Sequence, residues 1–451
     1  MSTLLIRNGL VVTLGDAGRI LPDASVFISG DQIVEVGACA GRTADRVIDA
    51  GGCVVMPGLI NAHHHFYSTL ARGFTPPGEP ACNFQQILER LWWKLDRALN
   101  PKDVYRSAML PLMEAAKAGC TTIIDHHASP SCTEGSLDLI EQAAREVGLH
   151  ACLCYEVSDR NREGDGVEEN ARFIRKCKAA GDDQITALFG LHASMTIGDR
   201  TLERCAGLAQ ELGVGVHVHI DEAECDGEAT RANHRTTPAR RFRDVGMVHR
   251  GSLFAHGIHL DAEGMDILRE GDAMMVTNPE SNMNNGLFVT PMRELLQRGI
   301  LLGLGTDGMS NTMIAQARAL YLLHRDTLRD PRVAFVEACR LLLDHNRRIC
   351  DRLFPRKRGV LAPGLLADLA ILDYTPFTPM EDGTFLGHLL FGLVSAPVRH
   401  TICRGRVVVE NGRLVGCDEA ALFHRANRVA SRMLIAAERA TGRNYRKRGN
   451  A

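Results

Sequence analysis

The sequence lacks the features that mark secreted, membrane-spanning and nucleic-acid-binding proteins. Its first residues contain no apolar run of signal-peptide length, and no stretch approaches the roughly 20 apolar residues of a membrane span. Lys and Arg number 52 against 54 Asp and Glu, so the net charge is −2 and no basic excess indicates nucleic-acid binding. We therefore expect a cytoplasmic protein with neither a membrane nor a nucleic-acid partner.

Several cofactor and metal motifs are also missing. No Gly-x-Gly-x-x-Gly or phosphate-loop pattern indicates a nucleotide-binding fold. The 14 cysteines are scattered, and their one close pair, Cys152 and Cys154, lacks zinc-knuckle spacing, so reduced and buried thiols are expected. The Pro-Cys-x-x-Cys zinc motif of the cytidine-deaminase fold is absent as well.

The two ends of the 451-residue chain differ in pattern from its middle. Short β-like runs, separated by turn pairs such as Asn8-Gly9, lie before residue 57 and return after residue 360. The pair Asn411-Gly412 is typical of a tight hairpin turn. We expect residues 1–57 and 361–417 to form one small β-sandwich domain, and residues 418–451 to form an amphipathic C-terminal helix and tail.

Residues 58–360 alternate strand-like apolar runs with helical segments. In Asp199–Leu212 the apolar residues form a helical stripe that ends at Gly213, and the next run, Val214–His219, is strand-like. Ile300–Leu304 is a continuous apolar run, as in parallel strands that are covered on both faces. Repeated strand–helix units over about 300 residues predict an α/β fold, a (β/α)8 TIM-type barrel, rather than an open sheet.

Two histidines on one strand face are the first chemical signal. The segment Asn61-Ala62-His63-His64-His65 follows an apolar run, and side chains two residues apart on a strand point the same way. His63 and His65 therefore share a face, from which two imidazoles can chelate one ion. A polar, His-rich loop is the alternative.

Three further polar groups follow predicted strands. They are His219, with His217 deeper on the same face as a core or supporting histidine, then His256, and finally Asp307. Barrel enzymes place their catalytic groups at these carboxyl ends of the strands. A buried aspartate is costly unless a positive charge or a metal ion meets it, although Asp307 could instead cap the next helix.

The segment Pro57-Gly58-Leu59-Ile60-Asn61-Ala62-His63-His64-His65 resembles the opening of the amidohydrolase superfamily, in its cytosine- and guanine-deaminase-like branch. The resemblance runs nearly end to end and includes Gly364–Leu369, which is similar to the return of those enzymes to their β-sandwich. Segments 92–99, 125–130 and 281–285 look closest to the SsnA-type aminohydrolases. 8-Oxoguanine deaminase and the triazine hydrolases are similar too, less closely.

The resemblance implies one divalent metal ion with four ligands: His63, His65, His219 and Asp307. Zn²⁺ is the first expectation and Fe²⁺ the second, since imidazole and carboxylate ligands accept both. Two-metal relatives need a bridging lysine at the end of the fourth strand, and the run 185–193 contains no lysine, which favours a single ion.

Three residues are expected to carry the reaction. Asp307 would accept the proton of the attacking water, and His256 would hydrogen-bond that water or the tetrahedral intermediate. Glu222, three residues beyond His219, would protonate a ring nitrogen of the substrate as hydroxide attacks the adjacent carbon.

Residues that follow other predicted strands, or that lie next to the ligands, are expected to contact substrate. These residues are His126, His127, His192, Ser281, Asn282 and Tyr67. Tyr67 would stack on a flat ring, and a core or capping role is the alternative for the three histidines. Trp92 and Trp93 are expected in a helix core or a dimer contact.

The sequence thus predicts a metal-dependent hydrolase of non-peptide carbon–nitrogen bonds, which deaminates a small purine-, pterin- or pyrimidine-like heterocycle. Ring opening of a cyclic amide or imidazolone, and triazine-type loss of chloride or an amine, remain open. A catalytically dead interaction protein on the same fold is the non-enzymatic alternative. The oligomeric state is open, although apolar helices exposed on such barrels would favour a homodimer.

Overall fold

A computed structural model of the chain describes residues 2–74, 79–424, 426–428 and 432. The strands within these ranges are β1 (Thr3–Val12), β2 (Ile20–Ser29), β3 (Gln32–Gly37), β4 (Arg46–Asp49), β5 (Val54–Pro57), β6 (Leu59–His64), β7 (Cys120–Asp125), β8 (His150–Leu153), β9 (Ile185–Ala187), β10 (Phe189–Ala193), β11 (Val216–Ile220), β12 (Leu253–His256), β13 (Met274–Thr277), β14 (Leu301–Leu304), β15 (Leu369–Leu372), β16 (Val398–Cys403), β17 (Arg406–Glu410) and β18 (Arg413–Leu414).

Helices separate most of the strands from β6 onward. The α-helices are α1 (Phe84–Ile87), α2 (Trp93–Ala98), α3 (Pro101–Lys117), α4 (Ser136–Val147), α5 (Val167–Ala180), α6 (Asp199–Glu211), α7 (Glu224–His234), α8 (Pro238–Asp244), α9 (Ala262–Glu270), α10 (Pro279–Asn284), α11 (Met292–Gln297), α12 (Met313–Leu328), α13 (Phe335–Arg340), α14 (Asn346–Leu353) and α15 (Phe385–Phe391). Short 3₁₀ turns lie at Phe66–Ala71, Ser194–Thr196 and Leu393–Ser395, and π-helical segments at Leu88–Trp92 and Leu341–His345.

Parallel strands from β6 to β14 form the predicted (β/α)8 barrel. They lie in the orders β6-β7-β8-β9 and β10-β11-β12-β13-β14. β9 and β10 are two halves of one strand interrupted at Leu188, whose amide donates to the Leu153 carbonyl at 3.1 Å. The amides of Thr306 and Asp307 donate to the His63 carbonyl at 2.9 and 3.0 Å, which joins the end of β14 to β6 and closes the ring.

Helix ends follow from local chemistry, as α3 shows. The Asn100 side chain accepts from the Asp103 amide at 3.1 Å, while Asp103 accepts from the Asn100 amide at 3.2 Å. This reciprocal capping box satisfies amides that have no partner within the helix, and Pro101 provides a first-turn backbone angle. Gly119 follows the helix at φ 80°, a left-handed conformation that glycine adopts without steric cost.

The second domain is a sandwich built from one continuous sheet of nine strands. β5 joins the two chain ends, because Val55 pairs with Val11 of β1 on one side and with Ile371 of β15 on the other. The sheet curls so far that the Gly30 turn touches the Gly405 turn, where a Cβ would lie 2.0 Å from the Gly30 carbonyl. Its inner face holds a separate apolar core.

The predicted turn at Asn8-Gly9 is a bulge inside β1. The register with β2 shifts between Ile6 and Gly9, and Asn8 has a φ of 61°. A turn pair within a strand can absorb one extra residue in this way without ending the strand.

A buried ion pair connects the two domains at the amino-terminal end of the barrel. His150 of β8 lies 3.1 Å from Asp368, which precedes β15, and both side chains are almost fully buried.

At the C-terminus, residues 419–424 and 426–428 are helical, and the remainder of the predicted C-terminal helix lies outside the described residues apart from residue 432. Within the described ranges, none of the helices combines the length and apolar character that crossing a bilayer requires.

Just before β11, two backbone segments pack so closely that Gly215 has no room for a side chain. An added Cβ would lie 2.0 Å from the Gly251 carbonyl oxygen, so Gly215→Ala should lower the free energy of unfolding by about 1–3 kcal/mol. Gly207 in α6 is the matched control, since a Cβ there meets no atom within 4 Å. Gly207→Ala should raise stability by about 0.5–1 kcal/mol. Urea denaturation followed by circular dichroism tests both values, and equal stability of the two variants would contradict the packing argument.

Candidate active site

Hydrogen bonds from Nδ1 fix the ring orientation of two histidines, His65 after β6 and His219 near the end of β11. Nδ1 of His65 donates to the His126 carbonyl at 2.6 Å, and Nδ1 of His219 donates to the His192 carbonyl at 2.7 Å. A carbonyl can only accept, so each Nδ1 carries a proton and each Nε2 is the nitrogen that faces the site. Nδ1 of His63 lies 2.8 Å from Nε2 of His217, which therefore supports a candidate ligand from behind.

The free nitrogens converge with one carboxylate. Nε2 of His65 lies 3.2 Å from Nε2 of His219 and 3.0 Å from Oδ1 of Asp307. Nε2 of His63 lies 3.7 Å from the same oxygen and has no hydrogen-bond partner, although it is buried.

This donor set fits a divalent metal ion. Burial lowers the pKa of His63 and of His219 well below the ordinary value, which leaves neutral imidazoles. Burial lowers the pKa of His65, but the neighbouring Asp307 carboxylate outweighs burial and raises it to about 9, so a positive charge is favoured between these groups. Two ring nitrogens 3.2 Å apart beside a carboxylate can share one cation, and a divalent metal ion meets that requirement. Nitrogens bound at about 2.1 Å around a tetrahedral ion lie about 3.4 Å apart, close to the separation found here.

A glycine lets the Asp307 loop approach β6. A Cβ on Gly305 would lie 2.8 Å from both the Cβ and the carbonyl oxygen of His63. Asp307 itself has a φ of 51°, and His256 has a φ of 74°. Such strain in non-glycine residues is typical of functional sites, where the surrounding structure enforces it.

Asp307 uses its two oxygens differently. Oδ1 faces His63 and His65, whereas Oδ2 accepts the Ser281 hydroxyl at 2.5 Å and lies 3.9 Å from Nε2 of His256. Nδ1 of His256 donates to the Asn282 side-chain oxygen at 3.1 Å, so Nε2 is directed toward Asp307. One oxygen can thus bind the ion while the other holds a proton.

Glu222 lies on the far side of His256. Its Oε2 is 3.6 Å from Nε2 of His256, and its side chain is 13% exposed. Burial, and then the negative charge of Asp307, raise the pKa of Glu222 well above its ordinary value. The raised pKa favours the protonated form of Glu222, which is the form that a general acid requires.

A cavity of about 310 Å³ opens above these groups. Three predicted substrate residues, Tyr67, His192 and Ser281, line it. Trp92 and Trp93, which the sequence predicts in a helix core or a dimer contact, line it too. They cover the cavity because the π-helical turn and α2 lie across the mouth of the barrel.

The other three predicted substrate residues lie outside the cavity lining. His126 is fully buried, and its Nε2 donates to the carbonyls of Leu191 and His217 at 3.0 and 3.2 Å. The ring of His127 turns to the Ser129 hydroxyl at 2.9 Å. Asn282 holds His256. The sequence predicted all three as substrate contacts, with a core or capping role as the alternative for the histidines. A strand-end position does not predict which way a histidine ring turns, and here both rings turn to partners within the protein.

Sequence reasoning missed Glu156. It lies three residues beyond β8, with its side chain 3% exposed, and it lines the cavity. The same rule that found His219 and Asp307, a polar residue just after a buried strand, could have found it. In segment 152–157 apolar residues continue past Leu153, the last residue of β8, so the end of the strand could not be located from the sequence.

A barrel whose strand ends hold three imidazoles and one carboxylate is typical of hydrolases that activate water with a metal ion. The model of the amidohydrolase family matches residues 54–408. The chain is 31% identical to a 5-methylthioadenosine/S-adenosylhomocysteine deaminase from Pelotomaculum thermopropionicum, over 96% of this chain and 99% of the relative. It is 28% identical to a 5'-deoxyadenosine deaminase from Methanosarcina mazei, over 96% and 99%.

A solved structure agrees in fold. The zinc-bound adenosine deaminase from Xanthomonas campestris is 22% identical and superposes with a TM-score of 0.84, over 95% of this chain and 98% of that one. The chain belongs to the amidohydrolase family, as its histidine motif predicts, and is a hydrolase of carbon–nitrogen bonds other than peptide bonds.

Metal content tests the ligand set. The purified protein should carry one divalent ion per chain, measured by inductively coupled plasma mass spectrometry. Removal of the His219 imidazole in His219→Ala should weaken metal binding by at least about 10- to 100-fold, since even partners behind a ligand contribute that much. The exposed His424 is the control, and His424→Ala should keep the full content. Unchanged metal in His219→Ala would exclude the site.

Proposed function

We propose that this protein is a metal-dependent aminohydrolase that deaminates an amino-substituted nitrogen heterocycle of the purine, pterin or pyrimidine type. The observation that carries the proposal is that three imidazoles and the Asp307 carboxylate converge beside a carboxyl group of raised pKa, Glu222, at the floor of one cavity. Zn²⁺ is the proposed ion, with His63, His65, His219 and Asp307 as its ligands.

The bound ion supplies Lewis acidity, which lowers the pKa of a water ligand from about 15.7 to about 7. Asp307 takes up the proton of the attacking water at Oδ2, the oxygen directed away from the imidazoles. Nε2 of His256, held by Asn282, hydrogen-bonds the same water and orients it. The Ser281 hydroxyl holds Oδ2 in place from the cavity side.

Glu222 acts on the substrate. Its carboxyl proton passes to the ring nitrogen beside the attacked carbon, which makes that carbon more electrophilic and neutralises the negative charge that develops on the nitrogen. After attack, the proton held by Asp307 passes to the exocyclic amine, and the carbon–nitrogen bond breaks to release ammonia. The hydroxyl proton of the intermediate returns to Glu222 as the ring carbonyl forms. The aromatic wall formed by Tyr67, Trp92 and Trp93 suits a flat ring.

The relatives support deamination over the alternatives. Both are named as deaminases of 5'-modified adenosines, which carry an exocyclic amine on an aromatic ring. We propose the same bond for this chain. Neither name extends to this chain's own substrate, because the residues of the cavity wall decide recognition of the rest of the molecule.

Ammonia release tests the proposed reaction. Purine, pterin and pyrimidine amines should be screened with Zn²⁺-reconstituted protein, and the correct substrate should release one equivalent of ammonia per molecule consumed. Consumption of a substrate without ammonia would indicate ring opening. Release of chloride from a halogenated ring would indicate triazine-type chemistry, and no turnover of any amine would contradict the proposal.

Glu222→Gln tests the proton donor. The variant keeps the shape of the side chain but not its acidity, so kcat/KM should fall by about 10²- to 10⁴-fold with unchanged circular dichroism and metal content. Glu224→Gln, an exposed change two residues away, is the matched control and should retain activity. Near-normal turnover by Glu222→Gln would refute its role.

A further inference from the structure

A buried charged cluster borders the cavity and takes no part in the steps above. Arg160 donates to Oε1 of Glu156 at 2.8 Å and to Oδ2 of Asp96 at 3.2 Å. Its guanidinium also lies over the ring of Trp93, 4.7 Å from the centroid. One cation therefore holds two carboxylates and an aromatic wall residue in fixed positions, with Glu156 and Trp93 facing the cavity.

One carboxylate oxygen of Glu156, Oε2, remains available to accept a hydrogen bond from a ligand. Oε1 is occupied by Arg160, while Oε2 accepts no hydrogen bond from any of the described residues. Nδ1 of His126 lies 3.4 Å from Oε2 and forms no hydrogen bond there. Because Glu156 lines the cavity, a ligand that brings an N–H or O–H donor can reach Oε2 and form a stronger hydrogen bond than the long His126 contact provides.

Glu156 lies beside the reaction centre. One oxygen of Glu156, one ring nitrogen of His192 and one ring nitrogen of His219 all lie within 4.8 Å of one another. His219 is a proposed metal ligand, so a substrate carbon attacked at the ion brings its neighbouring ring atoms close to Glu156. A sugar attached across the ring would lie farther away.

We propose that Glu156 determines specificity by accepting a hydrogen bond from a ring N–H of the substrate. This inference rests on the proposed function and narrows its substrate class. An oxo-substituted heterocycle, such as a 2-amino-oxo-purine, carries such an N–H. An N9-substituted adenine ring does not: N1, N3 and N7 are acceptors, N9 carries the substituent, and the N–H groups belong to the exocyclic amine that must leave. On this inference the chain prefers lactam-bearing rings to the adenosine derivatives named for its relatives.

Binding can be measured without turnover. The chain has only two tryptophans, Trp92 and Trp93, and both line the cavity, so their fluorescence reports on occupancy. Xanthine is the oxo product of a 2-amino-oxo-purine and has no amine left to lose. Its 1-, 3-, 7- and 9-methyl derivatives each replace one N–H by N–CH₃. 1-Methylinosine provides sugar hydroxyls on a ring without N–H.

The Zn²⁺-loaded protein should bind at least one methylxanthine about 10- to 100-fold more weakly than xanthine, the range that a hydrogen bond to a charged group contributes. Glu156→Gln should weaken xanthine binding to a similar extent and have no further effect on that methylxanthine. Its binding of 1-methylinosine should be unchanged. Glu163→Gln, an exposed change in the same loop, is the matched control and should bind like the original protein.

Three results would overturn the inference. The first is equal binding of xanthine and every methyl derivative by the unaltered protein, a comparison that does not depend on any variant folding. The second is that methylation of the ligand and Glu156→Gln each weaken binding and that their effects add, which would indicate that Glu156 has a merely structural role. The third is a loss confined to 1-methylinosine, which would assign the acceptor to a sugar hydroxyl. Ammonia release is scored separately, so failure of the deaminase proposal remains distinguishable.

Discussion

The candidate site depends on one electrostatic constraint: ring nitrogens and a carboxylate oxygen are held close together and need a positive charge between them. His65 and His219 point their Nε2 atoms at each other across 3.2 Å, and backbone carbonyls fix both rings from behind. Neither ring can turn away without leaving a buried N–H unpaired, which costs about 1–3 kcal/mol. A metal ion would supply the positive charge that this arrangement requires. Much of the surrounding structure serves to hold these rings in place.

The barrel supplies that geometry through its closure. β14 joins β6 by hydrogen bonds from the Thr306 and Asp307 amides to the carbonyl of His63, so a ligand aspartate and a ligand histidine share one backbone junction. Gly305 permits the approach because no side chain intervenes. Residues far apart in the chain therefore meet at strand ends. This is why catalytic groups concentrate at that face of a parallel barrel.

The sequence predicted which polar residues lie at the ends of the barrel strands, but it did not predict the direction in which each side chain points. An apolar run followed by His or Asp predicts a polar group at the barrel mouth, and His63, His65, His219 and Asp307 all lie there. The same pattern holds for His126, yet its ring turns inward to backbone carbonyls. Only the packing of neighbouring strands decides between these outcomes. The place of Trp93 at the cavity could not be predicted either, because its ring packs against Arg160, a residue distant in sequence.

Two neighbouring carboxyl groups, Asp307 and Glu222, have pKa values shifted in opposite directions, and the difference follows from their partners. Burial raises the pKa of both, but the imidazoles of His63 and His65 outweigh burial at Asp307 and lower its pKa well below the ordinary value, whereas the carboxylates around Glu222 raise its pKa further. The charge of Asp307 further disfavours ionisation of Glu222. Separation of this kind assigns the base and the acid of a reaction without reference to substrate. Glu156, the third carboxylate, is paired with Arg160 and keeps its charge. It can accept a hydrogen bond but cannot donate one, so it suits recognition of a donor and not proton delivery.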